Sequence, residues 1–333
     1  MPTGLLFALQ PRPRSLVTSP ATPPSKVGRF GGVYIACGRE LRGVPQCHPE
    51  GGAPKLDVRF RKAPVRHEGV LVYSWGGRYG LTLFRLPAGW VFRCRLGAEF
   101  QLDRAASRLI CYPGPAGWSP EVADVLVRRI LPRAVQLLGR FVLHGAAVAG
   151  PGGAIVLLGA SGSGKSTLAL SLTHTVSAYL LADDAAVLSR TEESFAVTSS
   201  AAVPCLWADS LAAFADRIGS AELMSAYGSK FRCEQAAAPP AEPRPLRAVY
   251  LLDRHHQVES TTVTPLPPTE ALLALMRCQL RFDPTDAAAE ARRLEFFRGV
   301  AETLPVLRLN YPRRFQHLPE VGDLILDLSR LTA

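Results

Sequence analysis

Short apolar runs separated by Gly and Pro dominate the first third of the chain. Between residues 31 and 114 these runs are VYIAC, LDVRF, GVLVYSW, YGLTLFRL, WVFRCRL and RLICY. Segments rich in β-branched and aromatic residues, bounded by Gly and Pro, are typical of strands and turns. The pattern predicts a small β-rich domain over residues 31–118. Residues 1–30 are rich in Pro, Arg, Ser and Thr without periodicity, which predicts a disordered basic tail.

The next stretch predicts a helix and then a hairpin. Ser119 is a suitable N-cap, and Pro120 suits the first position of a helix that extends to about Leu138. Pro132 can kink this helix. Two apolar runs then flank a Gly-Pro-Gly-Gly turn, at 141–149 and 154–158. They predict two strands joined by a tight turn.

The remainder of the chain alternates strand-like and helical patterns. Runs with strand character occur at 186–190, 195–200, 246–254 and 306–309. Helical patterns occur at 209–226, 269–280, 285–300 and 318–331. A Pro- and Ala-rich segment at 236–245 indicates a linker or a mobile loop.

The charge balance narrows the function classes. The chain has 333 residues, of which 47% are hydrophobic and 20% charged, as is typical of a soluble globular protein. The net charge is +10, and residues 1–66 hold 11 Lys and Arg against 3 Asp and Glu, so most of the excess lies there. No helix-turn-helix, zinc-finger or RNP pattern accompanies this basic region. Solvated surface charge is therefore favoured over a nucleic-acid site, and no nucleic-acid partner is expected.

The cysteines and the N-terminal residues indicate the cellular compartment in which the protein is expected. The seven cysteines contain no C-x-x-C pair, so neither a disulfide framework nor a zinc site is indicated. The first 14 residues place their basic side chains after a short apolar piece, the reverse of a secretory signal. The apolar stretch 142–160 is interrupted by GPGG, which argues against a membrane span. We expect a cytoplasmic protein without a membrane partner.

The strongest chemical signal is GASGSGKST at 159–167, which fits G-x-x-x-x-G-K-[ST]. A strand-like run precedes it and a helical run follows it, as the motif requires. The backbone N–H groups of such a loop form an anion nest at the positive end of a helix. Lys165 is expected to reach the β- and γ-phosphates, and Ser166 to hold Mg²⁺ beside Thr167. The predicted nucleotide-binding residues are Gly159, Ala160, Ser161, Gly162, Ser163, Gly164, Lys165, Ser166 and Thr167.

A loop of this kind needs a magnesium-holding carboxylate at a strand end, and two candidates exist. Asp183 and Asp184 follow YLLA, and Asp253 follows AVYLL. Spacing favours the first pair, because a helix, a turn and a short strand bring it back beside the loop. Neighbouring residues on a strand face opposite sides, so one aspartate is expected to contact the metal and the other to accept a proton. Asp184 as a simple turn cap is the alternative.

His144 is a single histidine within an apolar strand pattern. By itself such a residue is more often structural, satisfied by the backbone, than catalytic.

Taken together, residues 141–188, from FVLHG through the loop to LLADDAAVL, resemble the core of the HPr serine kinase/phosphorylase superfamily. That pattern is a His-Gly strand, a tight turn, a phosphate loop, a helix and an Asp-Asp strand end. The resemblance implies an α/β fold, α+β overall, with a phosphoenolpyruvate-carboxykinase-like P-loop core and a mixed sheet. The expected division is a tail at 1–30, a β-rich domain at 31–118 and a kinase domain at 119–333.

The resemblance also implies an activity. It implies a kinase that uses ATP and Mg²⁺ and transfers the γ-phosphoryl group to a serine-type hydroxyl of a peptide or protein. The expected metal ligands are Ser166 and Asp183. The expected catalytic residues are Lys165, Asp183, Asp184 and His144, the last near the γ-phosphate. Homo-oligomers occur among such relatives and are possible here.

The sequence defines the phosphoryl acceptor less closely than it defines the phosphoryl-transfer reaction. The chain lacks the Arg-Asp-Ile-Arg-like segment of HPr kinases, which argues against HPr as the acceptor. Related kinases occur in peptide natural-product pathways, including lasso peptides, which suggests a precursor peptide. Lys230 and Arg232 are candidate contacts to phosphate or an acidic peptide, with a solvated basic turn as the alternative. A nucleotide-binding regulator or ATPase without a phosphoryl acceptor is the alternative function.

Overall fold

The computed structural model describes residues 26–49, 51–64, 68–77, 79–175, 178–224, 228–234, 239–253 and 258–329. The first eight strands form one sheet in the order β1-β2-β3-β8-β7-β6-β5-β4. They are β1 Lys26–Phe30, β2 Val33–Cys37, β3 Lys55–Phe60, β4 Val70–Trp75, β5 Leu81–Leu86, β6 Gly89–Arg93, β7 Glu99–Asp103 and β8 Arg108–Tyr112. The β-rich pattern of this region is therefore confirmed as a mixed sheet, in which β3 pairs in parallel with β2 and β8.

The predicted tail needs one correction. Residues 1–25 lie outside the described part of the chain, but Lys26–Phe30 form β1 and pair antiparallel with β2. Phe30 is fully buried, and Val44 packs in the same cluster. Apolar burial and strand pairing thus outweigh the low-complexity composition, and residues 26–30 are part of the first sheet.

A helical stretch leads from this sheet to the next one. It consists of α1 Pro120–Val125, a π-helical turn at Leu126–Ile130, and α2 Leu131–Leu137. Ser119 caps α1 by accepting a hydrogen bond from the Val122 N–H. Apolar side chains of the stretch share the hydrophobic cluster of the first sheet, which extends to Val187. That cluster crosses the predicted boundary at 118/119, and the domain division itself stays a prediction.

The remaining strands build a second, mixed sheet and a small three-stranded one. They are β9 Phe141–Leu143, β10 Gly145–Gly150, β11 Gly153–Leu158, β12 Tyr179–Ala182, β13 Ala186–Arg190, β14 Phe195–Thr198, β15 Cys205–Trp207, β16 Ala221–Leu223, β17 Lys230–Cys233, β18 Arg244–Leu252, β19 Thr262–Pro265 and β20 Val306–Asn310. The second sheet runs β12-β10-β11-β18-β14-β13-β9, and β20 joins β18 to β19. Strands β15, β17 and β16 form the small sheet.

The predicted hairpin is confirmed, with one difference. Strands β10 and β11 pair antiparallel through the Gly-Pro-Gly-Gly turn, while β11 pairs in parallel with β18 on its other side. The apolar run 141–149 is not one strand, however. It breaks at His144 because β9 pairs with β13 whereas β10 pairs with β12.

Helices cover both faces of the second sheet. They are α3 Lys165–Thr175, α4 Ala208–Ala213, α5 Pro268–Cys278, α6 Ala287–Thr303 and α7 Leu318–Ser329. Alternate residues of β11 enter different clusters, with Ile155 packing beside Leu168 and Ile325, and Val156 beside Phe297. Helices α3 and α7 therefore cover one face, and α5 and α6 the other.

Most of the later helix predictions are confirmed, and one is wrong. The helix predicted at 209–226 ends at Ala213, and Ala221–Leu223 form β16, which pairs with β17. Pairing with a strand that lies further along the chain overrides the local helical pattern there. Arg244 and Pro245 belong to β18, so the segment predicted as a linker is shorter than 236–245, and part of it lies outside the described residues.

The fold is thus mixed α/β with α+β character. In the described ranges, no helix combines the length and the apolar character needed to cross a membrane.

Candidate functional site

A glycine-rich loop at 159–164 connects β11 to α3. Its backbone has positive φ at Gly159 (143°), Gly162 (75°) and Gly164 (87°). A Cβ atom at Gly159 would lie 2.6 Å from Ser163 Oγ and 2.7 Å from the Leu252 carbonyl oxygen, so only glycine fits there. The loop runs directly into the N-terminus of α3, where the first N–H groups of a helix have no intrahelical acceptor. These groups and the helix dipole make the loop a favourable place for an anion.

Lys165 is the first residue of α3 and is buried. Its Nζ donates hydrogen bonds to the carbonyl oxygens of Gly159 (2.9 Å) and Ala160 (3.0 Å). Burial lowers the pKa of the Lys165 ammonium, while the charges of Asp184 and Asp183 act in the opposite direction. The ammonium is therefore held within the loop, close to two carboxylates.

The two residues that the sequence assigns to a metal ion are in direct contact. Ser166 Oγ donates to Asp183 Oδ1 at 2.7 Å, and the Cys205 N–H donates to Asp183 Oδ2 at 2.9 Å. Asp183 follows the last residue of β12 and is only 2% exposed. Thr167, the next residue of the loop motif, shares a 3.0 Å hydrogen bond with Ser210 in α4. The motif is thus anchored to two elements that come later in the chain.

Asp184 has a strained backbone and a charged partner. Its φ is 74°, in the left-handed region that few non-glycine residues adopt. Arg128 Nη1 donates to Asp184 Oδ2 at 2.6 Å. Burial would raise the pKa of Asp184, but the charges of Arg128, Lys230 and Arg129 outweigh this effect and hold the pKa well below its usual range. The carboxylate is therefore ionised.

The two aspartates face different partners, as predicted, but strand alternation is not the cause. Strand β12 ends at Ala182, so both carboxylates lie in the turn that follows. Asp184 has a left-handed φ and its carboxylate pairs with Arg128, whereas Asp183 contacts Ser166. Asp184 is therefore more than a turn cap.

Arg128 organises a buried network that sequence reasoning missed. Its guanidinium pairs with Asp184 at 2.6 Å and with Asp124, one turn earlier in the helical stretch, at 3.0 Å. It also donates to the Val203 carbonyl at 3.3 Å and contacts Cys205 Sγ. Burial would lower the pKa of Arg128, but Cys205, Asp184 and Asp124 raise it well above its ordinary value.

Two consecutive arginines of the π-helical turn, Arg128 and Arg129, lie in different surroundings. The Leu131 N–H donates to the Leu126 carbonyl, five residues earlier, which widens the helix at this point. Pro132 follows immediately and has no N–H for a regular helical hydrogen bond. The predicted kink is thus a wider turn, in which Arg128 is buried and Arg129 lines the cavity described below. Two adjacent arginines among the apolar residues of this turn were the available sequence signal.

His144 lies at the break between β9 and β10, beside the aspartates. Its backbone N–H donates to the Cys278 carbonyl at 2.6 Å, and its ring atom Nδ1 lies 3.1 Å from the Asp184 carbonyl oxygen. A carbonyl oxygen can only accept, so Nδ1 carries the hydrogen and Nε2 has a lone pair in the neutral ring. Burial lowers the pKa of His144, and Lys165 and Arg129 add to this, although Asp184 opposes it. The ring is therefore mostly neutral at pH 7.

A cavity of about 520 Å³ opens over the loop. Of the predicted residues, Ser161 to Thr167, His144, Asp184 and Lys230 line it. Sequence reasoning missed several other lining residues, namely Arg129, Trp207, Tyr311, Arg313, Arg314 and Phe315. Burial would lower the pKa of Lys230, but Asp184 and Asp183 raise it, so this cation belongs to the same charged group.

Other predicted residues lie elsewhere. Gly159 and Ala160 line a second cavity of about 600 Å³, which also contains Asp253, the other candidate carboxylate. Arg232 does not line the cavity over the loop. It pairs with Asp124 at 3.0 Å and with Glu222 at 3.3 Å.

The charges around the cavity suit an anionic ligand with a small divalent cation. Among the residues that the structure describes, no cluster of three or more His, Cys, Asp or Glu forms a metal site by itself. Mg²⁺ commonly takes one or two carboxylates from a protein and the rest of its oxygen ligands from water and substrate phosphates. The Ser166 hydroxyl and the Asp183 carboxylate, 2.7 Å apart, fit that requirement.

In comparisons with known proteins, no protein-family model matches this chain, and no curated protein matches it.

Proposed function

We propose that this protein is an ATP- and Mg²⁺-dependent kinase that transfers the γ-phosphoryl group to a serine-type hydroxyl of a peptide or protein. One observation carries the proposal. Residues Ser161 to Thr167 and the ionised Asp184 line a single cavity, and Ser166 is hydrogen-bonded to the buried Asp183. Phosphoryl transfer requires little covalent help from a protein, so positioning and electrostatics of this kind are the main requirements.

We further propose a phosphoenolpyruvate-carboxykinase-like core. The support is the mixed pairing of β11, which carries the loop. It is antiparallel to β10 and parallel to β18, unlike the loop strand of an all-parallel nucleotide-binding sheet.

The triphosphate of the nucleotide is assigned to the loop. Backbone N–H groups at the start of α3 bind phosphate oxygens, and Lys165 exchanges its bonds to loop carbonyls for bonds to the β- and γ-phosphates. Arg129 and Lys230 add positive charge along the cavity wall. Mg²⁺ held by Ser166 and Asp183 would supply charge neutralisation at the transferred group.

The geometry divides the work between the two aspartates. Both carboxylate oxygens of Asp183 already accept hydrogen bonds, from Ser166 and from the Cys205 N–H, which suits a metal-holding role. Asp184 lines the cavity and is assigned as proton acceptor. The acceptor oxygen forms a bond to the γ-phosphorus, its proton passes to Asp184, and the bond to the bridging oxygen breaks to release ADP. A carboxylate with a low pKa suffices, because the loose transition state makes small demands on base strength. His144, with a lone pair on Nε2, lies beside this position.

The test follows label from γ-labelled ATP with Mg²⁺, using a peptide extract or candidate precursor peptides as acceptors. The wild-type protein should label a serine-containing peptide. Lys165→Ala should reduce transfer by roughly 10²-fold or more and abolish stabilisation by nucleotide, because the cation at the phosphates is lost. Lys55→Ala removes an exposed lysine of β3 and is the matched control, expected to keep full activity.

The same assay separates binding from chemistry. Asp184→Asn should keep nucleotide binding yet reduce transfer by about 10²-fold or more. Asp253→Asn, directly after β18, is the matched control and should be active. Phosphate release without a labelled acceptor would replace the kinase by an ATPase or nucleotide-dependent regulator. Full transfer by Lys165→Ala would refute the assignment of the loop.

A further inference from the structure

The wall of the cavity over the loop carries two chemically different sets of side chains. One set is charged and includes Asp184, Arg129 and Lys230. The other contains the aromatic residues Trp207 and Phe315. The phosphate chemistry proposed above accounts for the first set and leaves the second without a role.

Aromatic exposure in this protein is concentrated at that cavity. Among the described residues, three Trp, Tyr or Phe side chains stand out as exposed: Tyr73 at 45%, Trp207 at 41% and Phe315 at 43%. Two of these three line the cavity. Exposed aromatic rings within a concave site are a common feature of ligand-binding pockets.

On both sides of Trp207 along the chain, a nearby residue is hydrogen-bonded to a residue of the phosphate site. Two residues before it, the Cys205 N–H is bonded to Asp183, and three residues after it, Ser210 is bonded to Thr167. Trp207 ends β15 and is the N-cap of α4, so its backbone is fixed by both elements. Its ring is therefore held close to the phosphate loop without being covered.

Phe315 is attached to the loop by a different segment. Arg313 donates to the Gly162 carbonyl at 3.0 Å and to the Asp253 carbonyl at 2.7 Å. Phe315 follows two residues later and packs edge-on against Phe214, with ring centroids 6.3 Å apart. This segment follows β20, which lies parallel to β18 in the sheet that carries the loop.

We propose that Trp207 and Phe315 form a nucleoside subsite, which binds the aromatic base of a nucleotide whose phosphates occupy the loop. The inference rests on the proposed function and adds to it a binding site for the nucleoside, which the phosphate loop does not contact. Aromatic side chains bind bases by stacking, because every base has a π-face. The cavity, at about 520 Å³, is within the size range of sites that enclose a ligand of this class.

The subsite is tested by comparing two ligands that share phosphates and differ in the base. ATP and inorganic tripolyphosphate, each with Mg²⁺, are titrated calorimetrically into the full-length protein. Trp207→Ala and Phe315→Ala should each weaken ATP binding on the order of tenfold and leave tripolyphosphate binding unchanged. Trp207→Phe keeps an aromatic face and should bind ATP nearly as the wild type does. Tyr73→Ala removes the exposed ring that lies away from the cavity, and it should change neither ligand.

Intrinsic fluorescence provides a second readout that does not depend on affinity. ATP should quench part of the wild-type tryptophan emission, tripolyphosphate should not, and the ATP effect should disappear in Trp207→Phe. This variant also covers the case in which Trp207→Ala does not fold.

The possible outcomes separate this inference from the function on which it rests. Equal affinity of the wild type for ATP and tripolyphosphate would overturn the subsite while leaving the phosphate loop intact. An unchanged ATP affinity in both alanine variants would also overturn the subsite. If only the KM for an acceptor peptide rose in these variants, the two rings would contact the peptide and not the base. Equal losses for both ligands would show that Trp207 acts on the phosphates, for example through Lys230, whose Nζ lies 6.0 Å from its ring centroid. Failure of either ligand to bind in a Lys165-dependent way would instead refute the proposed function.

Discussion

The first sheet and the region around the glycine-rich loop bury different kinds of side chain. In the described part of the first sheet, from β1 to β8, no Asp, Glu, Lys, Arg, Ser or Thr side chain is buried. Around the loop, Lys165, Asp183, Arg128 and Asp124 are all less than a tenth exposed. One region follows the ordinary rule for a hydrophobic core, and the other departs from it repeatedly.

The difference shows which region of the fold bears the energetic cost of burying charged groups. Removing a charge from water costs several kcal/mol per ion, which a buried partner only partly offsets. The first sheet gains stability from apolar burial and keeps its charges in solvent. The loop region is destabilised by its buried ionised groups, but it holds them in fixed positions. Electrostatic catalysis requires this kind of preorganisation. Three ion pairs of decreasing burial make this contrast measurable.

The largest effect is expected for the buried pair of Arg128. Arg128→Leu leaves Asp184 and Asp124 without their shared cation, at side-chain exposures of 15% and 3%. Removing one member of a buried ion pair costs about 3–5 kcal/mol in the free energy of unfolding. Urea denaturation, monitored by far-UV circular dichroism, measures the change.

Arg133→Leu is the matched control for this prediction. Arg133 is equally buried, one turn further along the same helical stretch, but it donates to the Arg129 carbonyl and lies 4.4 Å from the centre of the Trp75 ring. The structure shows no ion pair for it within the described ranges, and burial lowers its pKa to about 9. Its replacement should therefore cost less than that of Arg128. Equal costs would mean that packing, and not the carboxylate network, explains the burial of Arg128.

Much of the first sheet and of the loop could be predicted from the sequence, because both depend on local patterns. Alternating apolar residues and Gly or Pro turns specify strands such as β5 and β6. The contact between Ser166 and Asp183 also followed from spacing, since only one helix and one short strand separate them. The sequence signals for these features lie within short stretches of the chain.

The rest of the site depends on contacts between distant parts of the chain. Arg128 meets Asp184, 56 residues later, and Arg313 meets Gly162, 151 residues earlier. The helix predicted at 209–226 ends at Ala213, and Ala221–Leu223 join the small sheet instead, because pairing with β17 decides the conformation there. A single sequence carries no direct signal for such contacts, apart from the adjacent Arg128 and Arg129 among the apolar residues of the π-helical turn.

An intermediate effect is expected for a pair that joins the first sheet to the segment between α5 and α6. Arg85 in β5 donates to Asp283 at 2.7 Å, with side-chain exposures of 40% and 5%. Asp283 also accepts hydrogen bonds from the N–H and the hydroxyl of Thr285. Asp283→Asn should cost about 2 kcal/mol at pH 7, because hydrogen bonds to a charged group are weakened together.

The effect of Asp283→Asn should depend on pH. Burial would raise the pKa of Asp283, but the hydrogen bonds from Thr285 and Arg85 outweigh this and hold the pKa below its usual value. The stability that the carboxylate contributes is therefore complete above the unfolded-state pKa of about 4 and is lost as the pH falls through the lower folded value. Denaturation curves between pH 7 and pH 3 should show the wild type and the variant converging in acid. A difference that stays constant over this range would exclude the charge as its source.

The smallest effect is expected for a surface pair of the first sheet. Lys26 in β1 lies 3.1 Å from Glu40, and the two side chains are 50% and 64% exposed. Glu40→Gln keeps the shape of the side chain and removes only its charge, so the free energy of unfolding should change by less than about 1 kcal/mol. The difference should shrink further in 0.5 M salt, which screens exposed charges strongly, whereas the cost of Arg128→Leu should persist because its partners are buried. A surface pair as costly to break as the buried one would mean that burial does not distinguish the two regions energetically, and the comparison between them would fail.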